Sequence, residues 1–64
     1  MDRELIFIVK EEPEGGYSAR AVGEAIATEA DDLASLREKI REAVAGHFTE
    51  DESPEVIRMH VVRH

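Results

Sequence analysis

The sequence predicts a small α+β domain with the element order β-β-β-α-β: an antiparallel meander, a helix packed on one face of the sheet, and a fourth strand. Three observations carry the prediction. "ELIFIVK" (Glu4 to Lys10) is a dense run of branched and aromatic residues, the composition of a strand. "EEPEGG" breaks that run with a proline and two glycines, and "YSARAV" (Tyr17 to Val22) resumes it. From residue 33 the apolar spacing changes to Leu33, Leu36, Ile40, Val44 and Phe48, with Ala43 beside them, which is the period of a helix with one apolar stripe.

Each element follows from its residues. In the first strand Leu5, Phe7 and Val9 share one face, and Ile6 and Ile8 share the other. A strand apolar on both faces is expected to lie centrally in a sheet, covered on both sides. Pro13 suits the second position of a turn, and Gly15 or Gly16 supplies the positive φ that returns the chain. With a four-residue loop, Pro13 to Gly16, Val9 faces Arg20 and Ile8 faces Ala21. Tyr17, Ala19 and Ala21 then share a face with Ile6 and Ile8, whereas a loop one residue longer or shorter reverses the assignment. Gly23-Glu24 makes a second turn, and "AIATEA" (Ala25 to Ala30) a short third strand. Asp32 is placed to cap the helix, with Asp31 adding charge where the helix dipole favours it. Glu38 with Arg41, and Lys39 with Glu42, stand at i,i+3 on its outer side. Gly46 weakens the last turn. "TEDESP" (Thr49 to Pro54) is an acidic loop. "EVIRMHVVR" (Glu55 to Arg63) is the fourth strand, with Ile57, Met59 and Val61 on one face and Arg58 and His60 on the other.

Length and composition restrict what such a domain does. Residues 1–64 form a single domain, too small to enclose a large cofactor and keep a core. There is no Cys to make disulfides, so self-association is the remaining means of stabilisation. One helix covers one sheet face, and the second apolar face of the first strand calls for a cover. The expectation is a homodimer, formed through that face at Ile6, Ile8 and Tyr17 or by joining strand edges. No segment approaches the ~20 apolar residues of a membrane span, and the N-terminus lacks a signal-peptide pattern, so a cytoplasmic protein is expected. The 15 acidic residues against 8 basic ones give a formal charge of −7. Direct nucleic-acid binding needs clustered Lys and Arg and is not expected. A basic partner is, unless the charge serves solubility alone. The absence of Asn, Gln, Cys and Trp beside abundant Glu and Arg is the composition of a heat-adapted protein.

Catalytic chemistry finds little footing. Gly15-Gly16 joins two strands among Glu11, Glu12 and Glu14, whereas a phosphate loop joins a strand to a helix and must not repel the anion. His60 and His64 stand four apart on a strand, too far for one metal, and His47 at the helix end is a natural partner of the helix dipole. The carboxylates lie in turns, and Ser18, Ser35 and Ser53 lack the setting of an activated nucleophile. No catalytic residue, metal ligand or cofactor is assigned.

The apolar first strand "LIFIV", the acidic turn with "GGYSARA", the polar-capped stretch "EADDLASLREKIREAVAGHF" and the closing strand after a proline resemble, over about residues 4 to 63, the N-terminal domain of HicB-type antitoxins. The proline usual in the loop between that family's second and third strands is absent at Val22 to Ala25. The family's C-terminal DNA-binding segment has no counterpart before His64, so the resemblance implies no DNA-binding role. It implies a non-enzymatic module that binds and neutralises a small basic RNA-cleaving toxin. On that reading Glu11, Glu12, Glu14, Glu50, Asp51 and Glu52 contact the toxin, aided by an exposed apolar sheet face. The alternatives are an accessory subunit of a larger cytosolic enzyme assembly, and a small enzyme or ligand binder with a site at a dimer interface near His47 or His60.

Overall fold

The computed structural model describes residues 4–62. They form β1 (Glu4–Glu11), β2 (Tyr17–Ala21), β3 (Ala27–Ala30), α1 (Leu33–His47) and β4 (Val56–Val62), in the α+β order the sequence predicts. The sheet is mixed, with strand order β3-β2-β1-β4. β1 to β3 make the antiparallel meander, and β4 adds to the other side of β1 in parallel, Glu4 beside Val56 and Phe7 beside Met59. The chain therefore crosses from one sheet edge to the other through α1, the connection a parallel pair requires.

The β1–β2 register corrects the sequence reading. Val9 lies opposite Ala19 and Phe7 opposite Ala21, with Glu11 opposite Tyr17. The loop is thus five residues, Glu12 to Gly16. It is closed by the Glu12 N–H donating to Gly16 O (2.9 Å) and the Gly15 N–H donating to Glu12 O (3.0 Å). Both glycines take the positive φ that one was expected to supply, 104° at Gly15 and 86° at Gly16. The extra residue moves β2 by one step, and a one-step shift reverses every side chain. Tyr17, Ala19 and Ala21 consequently share the face of Leu5, Phe7 and Val9. Tyr17 packs partly buried against the core and is not on the face of Ile6 and Ile8.

The core is one cluster. Leu5, Phe7 and Val9 of β1, Ala19 and Ala21 of β2, Ile26, and Leu36, Ile40 and Val44 of α1 are all buried, with Phe7, Val9 and Leu36 fully enclosed. α1 lies over β2 and β3. The alanines of β2 are the physical reason: a small side chain on that face lets a helix approach closely while larger β1 residues fill beside it. Asp32 caps the helix as expected, accepting a 2.7 Å hydrogen bond from the Ser35 N–H.

Other departures are local. β3 begins at Ala27 rather than Ala25, because the turn around Gly23 (φ 83°) extends until the Ala21 N–H donates to Ile26 O. Leu33, the first helical residue, is exposed although it fits the apolar period. Neither of the expected i,i+3 pairs is among the ion pairs of the described residues, which include His47 with Glu24 and Arg58 with Glu4.

Candidate interaction surface

The two sheet faces have different fates. The face of Phe7 carries α1. On the other, the pleat brings Ile6 and Ile8 of β1 together with Val22, with Arg20 and Ser18 of β2, with Ala27 and Glu29 of β3, and with Val56, Arg58, His60 and Val62 of β4. Ile6 is 37% exposed, Val56 42% and Val62 38%, while Ile8 is half-buried. A shallow depression on this face is lined by Ile8, Lys10, Ser18, Arg20, Ala27 and Glu29. Ile6 and Ile8 lie together on this face, whereas Tyr17, expected beside them, lies on the helix-bearing face.

The open face carries a feature that composition hides. Lys10, Arg20 and Arg58 stand on it against Glu4 and Glu29, and Glu4 accepts a 2.7 Å hydrogen bond from Arg58 Nε. An acidic chain of formal charge −7 thus presents a weakly basic, apolar sheet face. For Lys10 and Arg58 the signal was available in their even numbering along β1 and β4, the period of a strand, whereas the face of Arg20 depends on the β1–β2 register.

The acidic residues singled out from sequence do not form one patch. Glu11, Glu12 and Glu14 lie at the tip of the β1–β2 hairpin. Glu50, Asp51 and Glu52 lie in the α1–β4 loop, beside the start of β1, because β4 begins opposite Glu4. The length of β1, roughly 23 Å at strand spacing, separates the two groups. At the second end, Glu52 shares a crevice with Glu4 and Glu24, two carboxylates the linear sequence does not associate with it. Glu12 accepts a 2.6 Å hydrogen bond from the Ser18 hydroxyl, and Glu52 accepts one of 3.1 Å from the Thr49 hydroxyl.

The histidines are dispersed. His47 Nε2 is 3.4 Å from Glu24 Oε1, and its ring meets Phe48 edge-on with centroids 4.8 Å apart. His60 is exposed on the open face, and His64 lies outside the described residues. Among the described residues no group of three or more His, Asp or Glu side chains is arranged to hold a metal ion, and no charged or polar side chain is buried. The Ser35 N–H and hydroxyl hold the Asp32 carboxyl below its ordinary pKa, as suits a helix cap. No helix of the described residues is long and apolar enough to cross a membrane.

Fold and surface together define a small α+β domain built around one covered and one open sheet face. A UPF0150 protein of Archaeoglobus fulgidus is 46% identical to it over 52 residues, which span 81% of this chain and 77% of that protein. The chain belongs to the UPF0150 family. No family profile matches the chain, and no solved structure matches it.

Proposed function

We propose that this UPF0150 member is a HicB-like, non-enzymatic protein-binding module that acts as a homodimer and neutralises a small basic RNA-cleaving toxin in the cytoplasm. The single observation that supports it most is the open face, where Ile6, Val22, Val56 and Val62 are exposed on a domain that has no further element to cover them among its described residues. Exposed apolar surface of this kind marks sites of protein association. The strand and helix order agrees with the resemblance drawn from "LIFIV" and "GGYSARA". Glu11 and Glu14 at one end, and the Glu4, Glu24 and Glu52 group at the other, supply carboxylates for a basic partner.

The test is co-expression with a small basic protein encoded beside this one. Relief of that protein's toxicity together with co-purification supports the reading, and failure of both overturns it. A second reading, an accessory subunit of a larger enzyme, rests on the same uncovered face. It predicts instead that affinity purification from native cells, read by mass spectrometry, recovers a large enzyme in stoichiometric amount.

A further inference from the structure

β4 is a second uncovered feature, distinct from the open face. It is a seven-residue strand at the edge of the sheet, with the sequence VIRMHVV: no proline, no glycine and no carboxylate. The opposite edge, β3, has four residues and carries Glu29. Natural edges are protected by shortness, charge or proline. β3 has such protection, whereas β4 has only Arg58, whose charge Glu4 already offsets at 2.7 Å. On the helix-bearing side, Ile57 and Met59 are half-buried and Val61 is 37% exposed, because α1 lies over β2 and β3 and stops short of β4. Ile57 and Met59 therefore line an open groove whose other wall is Arg37, Ile40 and Arg41.

We propose that two copies of the chain join along β4, antiparallel and centred on Met59, so that the four-stranded sheet is doubled and both helices lie on the same side. The register follows from the side chains. Centring on Met59 pairs all seven residues. It sets Ile57 opposite the partner's Val61 and Met59 opposite the partner's Met59, so the half-exposed stripe becomes a continuous apolar seam between the two cores. On the open side Val56 meets the partner's Val62, and Arg58 meets the partner's His60. A one-residue slip is excluded, because opposed residues of an antiparallel pair project to the same side, and a two-fold axis perpendicular to the sheet pairs only positions of the same face.

Charge argues for the same surface. Two chains of formal charge −7 repel wherever their carboxylates meet, and β4 brings none of its own to the junction. The inference deepens the dimer of the proposed function and rests on that reading only for the presence of a second copy. It leaves both open faces free for another partner.

The experiment uses the absence of native Cys. Opposed residues of an antiparallel pair have Cα atoms ~4.5–5.5 Å apart, within the range a disulfide spans. Sedimentation of the unmodified chain is expected to give a dimer. Met59→Cys is expected to become a covalent dimer on mild oxidation, while Ile8→Cys, on the open face, stays a thiol. Should Met59→Cys fail to fold by circular dichroism, mixing Arg58→Cys with His60→Cys tests the same register through a mixed disulfide. A monomer on sedimentation overturns the proposal. So does a dimer that crosslinks through Ile8→Cys and through none of the β4 positions. Toxin binding is read in neither assay, so loss of the antitoxin reading and loss of the β4 junction remain distinguishable.

Discussion

The Ser18 hydroxyl donates a 2.6 Å hydrogen bond to the Glu12 carboxylate across the base of the β1–β2 turn. Glu12 therefore differs in kind from Glu11 and Glu14, its exposed neighbours in sequence: its side chain holds the hairpin that its backbone closes. Replacing Glu12 with Ala is expected to cost about 1 kcal/mol, with Ser18→Ala similar and the double variant little worse than either. Glu14→Ala is expected to leave the urea midpoint unchanged. Equal effects at Glu12 and Glu14 would refute this assignment.

The Asp32 cap makes a prediction in pH. Its folded-state pKa is depressed by the hydrogen bonds from Ser35, so its stabilising contribution is present above the carboxylate's ordinary pKa. That contribution disappears as pH falls through the lower folded value, in the acid range below about pH 4. Asp32→Asn keeps a capping side chain without a titrating one. Its urea midpoint is expected to fall less than that of the unmodified chain between pH 5 and pH 2. Asp32→Ala is expected to lower the midpoint at pH 7.

Two glycines respond oppositely to the same substitution. At Gly16 the backbone φ is 86°, and an added Cβ would meet the Ala30 carbonyl oxygen at 3.0 Å. Gly16→Ala is expected to destabilise by about 1–3 kcal/mol. Gly46 lies in the last turn of α1, and an added Cβ there has open space. Gly46→Ala is expected to stabilise by about 0.5–1 kcal/mol, a rise of several degrees in Tm measured by circular dichroism.

The two faces of β1 are separable by mutation. Leu36 is fully enclosed against the face of Phe7, and Leu36→Ala is expected to cost about 2–5 kcal/mol. Ile6 is exposed on the opposite face, and Ile6→Ser is expected to change stability by less than about 1 kcal/mol. A large loss at Ile6 would show that this face is already covered in solution.

Much of this architecture was legible in the residues, and the exceptions have physical causes. Leu36, Ile40 and Val44 announce the helix because their spacing repeats with its turn, and Asp32 announces where it starts. The β1–β2 register was not fixed by pattern, because both loop lengths leave β2 alternating; the backbone bonds of Glu12 with Gly15 and Gly16 decide it. Nothing in "VIRMHVV" says which strand it joins, so its parallel pairing with β1 was open. That pairing sends Glu50–Glu52 to the far end of the sheet from Glu11–Glu14, so the acidic residues were identifiable but their grouping was not. Lys10, Arg20 and Arg58 went unnoticed as a set because they come from three different strands.

The β1–β4 pairing also bears on how the chain reaches its native state. Glu4 and Leu5 find Val56 and Ile57 only after the whole meander and helix lie between them, the kind of distant contact that slows a folding reaction. The hairpin and helix, by contrast, close over short separations. Until β4 arrives, one flank of "LIFIV" has unpaired backbone groups, and a strand so rich in Ile and Phe is then a template for misassembly. The interval before the last strand docks is where heat or crowding would divert this small chain into aggregates.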